Sequence, residues 1–217
     1  MQPTSSLRRM LLAGATAAVL FAGAGGAVAA PAAAPGGSAP AATVRTGAPV
    51  AATAPAPYDR LRLLAALSEE RLATADPVAA AKWGTGSPID DPVRERQVLD
   101  AVAAQARQLG ADPAATLRIF RDQIEASKLV QRGLHRRWAA DPSQAPTTRP
   151  DLAEVRKEIN RINGELVRAI AASPQARSAP ACVPWLAVSA VRVGRRHHLD
   201  VLHAAGLARS LRSVCGG

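Results

Sequence analysis

Apolar residues recur at steps of three and four along most of the chain after residue 57, which is the period of an amphipathic helix. This pattern covers four segments, at 58–83, 91–109, 113–139 and 151–172. A last apolar segment, 184–213, is expected to form one or two more helices. The alternation of Leu186 and Val188 also fits a strand, but Pro184 and the length of the segment favour a helix. We therefore predict an all-α fold, a single helical bundle of about five to six helices.

Aspartate–proline pairs mark where two of these helices begin. Asp91-Pro92 and Asp112-Pro113 each place a capping carboxylate before a proline, which is tolerated in the first helical turn. Asp141-Pro142 and the prolines at 146 and 150 mark a longer loop. The pattern predicts helix starts at residues 92 and 113.

The first 29 residues have the pattern of a secretory signal peptide. Arg8 and Arg9 precede an uncharged stretch, 10–29, that ends in Ala27-Val28-Ala29, a small-x-small cleavage site. A retained membrane anchor is the alternative, but Ala and Gly dominate the stretch and insert weakly. The arginine pair leaves Sec and twin-arginine export open. We expect a secreted or periplasmic protein with no stable membrane insertion after cleavage.

Residues 30–57 consist mainly of Ala, Pro, Gly, Ser and Thr, and the first acidic residue of the chain is Asp59. Such a segment cannot bury enough apolar surface to offset the entropy of ordering it. We therefore predict a disordered tether at 30–57 and a helical domain at 58–217.

Composition removes several classes of function. The chain has 27 basic and 17 acidic residues and a net charge of +10, but the acids are interleaved with the bases and aromatic residues make up only 3%, so nucleic acid is not the expected partner. The glycine-rich nucleotide motifs are absent. His197, His198 and His203 do not share one helical face, so we expect no metal site and no cofactor.

The two cysteines, Cys182 and Cys215, bracket the last helical segment. In an exported protein they most simply pair with each other, while free thiols or an intermolecular bridge are the alternatives.

Arg71 and Lys82 are the first candidates for chemistry. Eleven residues, close to three helical turns, separate them, so on a continuous helix they share one stripe about 16 Å long. Pro77 lies between them and is expected to kink the helix. Two cations on a core-facing stripe are costly to bury without an anionic partner. Other polar residues at helical spacing are candidates for the same site: Asp91, Arg94, Glu95, Ser127, Gln131 and Arg156.

Together these residues resemble the AroQ class of chorismate mutases, specifically its exported gamma subclass. The resemblance covers nearly all of 58–217. The motifs that carry it are Arg-Leu-x-x-Ala-Asp-x-Val-Ala-x-x-Lys-Trp from residue 71, the Ile-x-Asp-x-x-Arg turn, Gly-x-Asp-Pro at 110–113, the Gln-Ile-x-Ala-Ser segment, the C-terminal cysteines and Arg-His-His-Leu-Asp at 196–200. It implies an all-helical enzyme whose site lies within one chain, with a homodimer left open.

The resemblance implies a role for each candidate residue. Arg71 and Arg156 would bind the two carboxylates of chorismate. Lys82 and Gln131 would donate hydrogen bonds to the ether oxygen of the breaking C–O bond. Since a glutamine donates at every pH, activity is expected to stay nearly level from mildly acidic to neutral pH.

The remaining candidates would complete the site. Asp91 and Glu95 would meet the ring hydroxyl and position Lys82, and Arg94 and Ser127 would complete the carboxylate and ring contacts. The reaction, a pericyclic rearrangement of the dianion chorismate to prephenate in aromatic amino acid biosynthesis, needs neither nucleophile nor metal. The alternative is a non-catalytic secreted helical protein that binds anionic ligands or a partner surface.

Overall fold

A computed structural model describes residues 56–216, which fold into α-helices connected by short loops and one 3₁₀ turn, with no strand in that range. Eight α-helices occur in this part of the chain: α1 Pro57–Ala73, α2 Ala75–Lys82, α3 Pro92–Gln108, α4 Pro113–Ala140, α5 Leu152–Ala171, α6 Pro174–Ser178, α7 Cys182–Arg196 and α8 Val201–Ser210. The predicted all-helical class is confirmed. The signal peptide and nearly all of the tether lie outside the described residues.

The predicted first helix, 58–83, is divided in two at Thr74. Pro77 has no N–H to offer the carbonyl of Ala73, so the regular ladder is interrupted there. The Thr74 hydroxyl donates instead to the Arg71 carbonyl at 2.7 Å, and α2 starts at the next residue. Arg71 therefore lies near the end of α1, while Lys82 is the last residue of α2.

The two predicted aspartate caps are confirmed. The Asp91 carboxylate accepts from the Arg94 amide at 3.0 Å, and Asp112 accepts from the amides at 114 and 115. Both helices start at the proline that follows the cap, because a missing N–H costs nothing in the first turn. The cap of α3 fixes the direction of its first turn, which carries Arg94 and Glu95.

The C-terminal segment contains one element more than the sequence pattern indicates. The five residues of α6 are too few to show a helical period. Helix α8 lies within the predicted segment, 184–213, and α7 begins two residues before it. His198, with φ 51°, lies between α7 and α8 where the chain reverses. Cys182 and Cys215 form the expected disulfide and join the start of α7 to the end of the chain.

Helix α4 runs through the centre of the domain and packs on α2, α3 and α8. Its fully buried Phe120 and Val130 contribute to one core with Leu64 of α1 and Leu166 of α5. Gly206 lets α8 approach closely, since a Cβ there would lie 2.9 Å from a methyl carbon of Val130. Of the helices in 56–216, none is long and apolar enough to cross a membrane.

Candidate active site

One cavity, between α2, α3, α4 and α5, brings together all eight candidate residues named from the sequence. Its lining includes Arg71, Lys82, Asp91, Arg94, Glu95, Ser127, Gln131 and Arg156. The space between the lining atoms, counted out to the mouth, is about 610 Å³.

Arg71 is buried, with 5% of its surface exposed. Its Nε donates to Oδ1 of Asn163 at 2.8 Å, and one terminal nitrogen donates to the carbonyl of Gln123 at 3.0 Å. Burial lowers its pKa to about 10, which still leaves it charged at neutral pH. No carboxylate among the described residues forms an ion pair with Arg71, so the second terminal nitrogen remains available to a ligand.

Lys82 is held by backbone oxygens. Its Nζ donates to the carbonyls of Pro88 at 2.8 Å and Ile89 at 3.1 Å. Burial lowers the pKa of Lys82, and the charges of Asp91 and Arg156 act on it in opposite directions. Asp91 and Glu95 attract the Lys82 ammonium group electrostatically, and among residues 56–216 no hydrogen bond joins either carboxylate to it.

Arg156 and Arg94 lie at the mouth of the cavity. Arg156 projects from α5, with a terminal nitrogen 3.6 Å from a carboxylate oxygen of Asp91. Arg94 donates to Oδ1 of Asn160 at 2.8 Å, also on α5. The first turn of α3 and the first half of α5 therefore close this side of the cavity together.

Lys128 is a functional candidate that sequence reasoning missed. Its Nζ lies 3.2 Å from a carboxylate oxygen of Glu95, 2.5 Å from Glu125 and 3.3 Å from Asp90. Burial lowers the pKa of Lys128, but the hydrogen bonds to Glu125 and Glu95 raise it by more. The helical spacing could have identified Lys128, because it precedes Gln131 by three residues and so lies on the same side of α4.

Apolar side chains form the remaining walls, and most of these were also missed. They are Val78, Ile89, Val98, Ile124, Leu152 and Ile159. Val98 follows Glu95, and Ile159 follows Arg156, at a spacing of three residues, which is the signal that could have found them. Apolar walls around fixed charges exclude water and strengthen each electrostatic contact.

The lining has an excess of three positive charges, because five cationic side chains face two carboxylates. The cations are Arg71, Lys82, Arg94, Lys128 and Arg156, and the carboxylates belong to Asp91 and Glu95. Such a cavity suits a small dianion.

Comparison with known proteins agrees with this geometry. The family model of chorismate mutase type II matches residues 61–132. The secreted chorismate mutase of Mycolicibacterium smegmatis is 37% identical over 146 residues, which cover 67% of this chain and 81% of that protein. The chain belongs to the chorismate mutase family.

Two further chorismate mutases are similar. The secreted chorismate mutase of Mycobacterium tuberculosis is 35% identical over 146 residues, 67% of this chain and 73% of that protein. The crystal structure of chorismate mutase from Burkholderia thailandensis superposes with a TM-score of 0.69 at 37% identity, and the match covers 72% of this chain and 99% of that one. Seven of the eight candidate residues fall within 61–132, and Arg156 lies beyond that match.

Proposed function

We propose that this chorismate mutase binds chorismate in the cavity between α2, α3, α4 and α5 and rearranges it there to prephenate. The observation that carries the proposal is the excess of positive charge in a cavity with apolar walls. The alternative of a non-catalytic anion binder has less support, since the similar proteins are named as mutases.

The chemistry suits the residue types. The rearrangement is unimolecular: one C–O bond breaks and one C–C bond forms within a dianion. A catalyst can therefore act only by selecting the compact reactive conformer and by stabilising charge that develops in the transition state. In the proposed arrangement, Arg71 and Arg156 bind the two carboxylates from opposite ends of the cavity and so select that conformer.

Lys82 is proposed to stabilise the ether oxygen as the C–O bond breaks. An ammonium group has three N–H donors, and the carbonyls of Pro88 and Ile89 accept two of them. The third donor is free for the substrate, and its direction is set by the first two. Gln131 is proposed to donate to the same oxygen from α4. The ring hydroxyl is assigned to Asp91 and Glu95, and the remaining carboxylate and ring contacts to Arg94 and Ser127.

Export accompanies this activity, since two similar proteins are named secreted chorismate mutases. We propose that residues 1–29 are removed as a signal peptide and that residues 30–57 remain as a disordered segment before the domain. N-terminal sequencing of the secreted protein tests the cleavage site. A homodimer also remains a proposal, supported by exposed apolar side chains on α7 such as Val183 and Val191. Light scattering tests it.

The deciding experiment follows the loss of chorismate by ultraviolet absorbance, with the secreted protein and its Lys82→Ala variant. Loss of one preorganised donor to a developing anion costs about 3–4 kcal/mol, so kcat should fall by roughly a hundredfold to a thousandfold. Lys157→Ala is the matched control, because Lys157 is an exposed lysine on α5 whose one ion pair within the described part of the chain is with Glu154. A folded wild-type protein that leaves chorismate unchanged contradicts the proposal and favours the anion-binding alternative.

A further inference from the structure

Three polar residues of α5 lie on the face of the helix that is directed toward the cavity. Arg156, Asn160 and Asn163 are spaced by four and three residues, which places them along one face of a helix. Arg156 lines the cavity itself, whereas the two asparagines line an adjoining pocket. Neither asparagine has a role in the function proposed above.

Each asparagine holds one arginine of the cavity. Oδ1 of Asn163 accepts from Nε of Arg71 at 2.8 Å, and both residues are buried. Oδ1 of Asn160 accepts from a terminal nitrogen of Arg94 at 2.8 Å. Since an acceptor on one nitrogen restricts the rotation of a guanidinium group, these contacts limit the directions in which the remaining N–H groups point.

The amide acceptors differ from the carboxylates that hold several other arginines among the described residues. Arg161, on the same helix, pairs with the carboxylates of Glu70, Glu158 and Glu165. Arg71 and Arg94 have no carboxylate partner among residues 56–216, although a buried arginine is ordinarily paired with one. The acceptors at Arg71 and Arg94 are instead amide and peptide oxygens, which carry no net charge.

We propose that Asn160 and Asn163 are positioning residues that orient Arg94 and Arg71 while leaving their positive charge uncompensated, so that the cavity keeps its affinity for a dianion. An aspartate at either position would accept the same hydrogen bond with nearly the same shape. It would also neutralise the arginine that the substrate carboxylate needs. The inference rests on the proposed function, because it assumes a dianionic substrate.

The test compares Asn163→Asp and Asn160→Asp with the wild-type protein, measuring KM, kcat and Tm with chorismate as substrate. A negative charge beside a cation that binds an anion opposes binding, so KM should rise roughly tenfold or more in Asn163→Asp. The rise should be smaller in Asn160→Asp, since Asn160 and Arg94 are more exposed. In both variants kcat should change less than KM, because a carboxylate contact is made in the ground state as well as in the transition state.

The melting temperature distinguishes this positioning role from a purely structural one. If Asn163 only supported the fold, Tm would fall in Asn163→Asp. Aspartate offers Arg71 a counter-charge, so Tm of Asn163→Asp should stay within a few degrees of wild type while substrate affinity falls. Gln175→Glu on α6 is the control for net charge, since Gln175 is exposed and lines no cavity described here.

The outcomes separate the two proposals. A wild-type protein without activity refutes the proposed function. An active wild type with unchanged KM in both aspartate variants overturns this inference alone, as does a KM that rises only together with a fall in Tm. Should Asn163→Asp fail to fold, Asn160→Asp decides, because the exposed side chain of Asn160 can be changed without disturbing the core.

Discussion

The side-chain nitrogen of Gln131 lies 3.0 Å from the hydroxyl oxygen of Ser127, one turn earlier on α4. The amide oxygen of Gln131, by contrast, is buried and has no hydrogen-bond partner among the described residues. An unpaired buried polar atom costs about 1–3 kcal/mol. Rotating the amide by half a turn lets Ser127 donate to Oε1 and frees Nε2 for the substrate. We therefore expect Ser127 to act on the reaction through the orientation of Gln131.

The pH dependence of activity tests the proposed role of Gln131 as a hydrogen-bond donor to the substrate. A glutamine donates regardless of pH, so wild-type kcat/KM should be nearly level from about pH 5 to pH 7. In Gln131→Glu the carboxyl group donates only while protonated, and its activity should fall about tenfold per pH unit above its own pKa. A steep loss of wild-type activity across that range would contradict the assignment of Gln131.

Arg156→Ala should separate binding from folding. Arg156 is partly exposed and its only ion pair among residues 56–216, with Asp91, is 3.6 Å long, so its removal should change Tm by less than about 2 °C. If it binds a substrate carboxylate, KM should rise roughly tenfold to a hundredfold. Steady-state kinetics and a thermal melt of the same sample measure both. An unchanged KM would remove Arg156 from the proposed site.

Removal of the disulfide should affect stability and spare activity. The bond closes a loop with a sequence separation of 33 residues, which on the chain-entropy estimate is worth about 3–4 kcal/mol. The double variant Cys182→Ser/Cys215→Ser should therefore melt about 10 °C lower. At 25 °C its kcat should match wild type, because neither α7 nor α8 lines the active-site cavity. Reductant should lower Tm of the wild type and leave the variant unchanged.

We predict that the protonation of His203 makes part of the free energy of unfolding depend on pH. It contacts Asp76 of α2 at 2.8 Å and Asp200, the cap of α8, at 2.6 Å; Arg137 also pairs with Asp200. Burial lowers the pKa of His203, but hydrogen bonds to the two aspartates raise it by more. Because the folded-state pKa of His203 is raised, protonated His203 stabilises the fold fully below the ordinary histidine pKa near 6.5. This stabilisation is lost as pH rises through the folded-state pKa.

The measurement is the difference in Tm between wild type and His203→Gln across that range. The difference should be largest near pH 6 and should shrink by about pH 9. Glu69 and His197 lie beside the same pocket and are present in both proteins, so taking the difference removes much of their effect. A difference that grows with pH would contradict the prediction.

Local chemistry made much of the fold predictable. The start of α4 follows from Asp112-Pro113 and its length from the apolar period, so its predicted end lies one residue from the observed one. The break between α1 and α2 at Thr74 was harder to predict from the sequence, because Pro77 is also compatible with the first turn of a new helix. Helix α6, with five residues, is shorter than two turns and shows no period.

By itself, the sequence determined the helical class, the caps, the cysteine pair and the residue types of the candidate site, since all of these depend on neighbours within a turn or on recognisable motifs. Only the tertiary structure decided which groups contact each charged side chain of the site. Arg71 meets Asn163 across 92 residues, and Glu95 meets Lys128 across 33. Such contacts arise when helices pack, because the packing angle and depth select which side chains meet, and no local spacing encodes that choice.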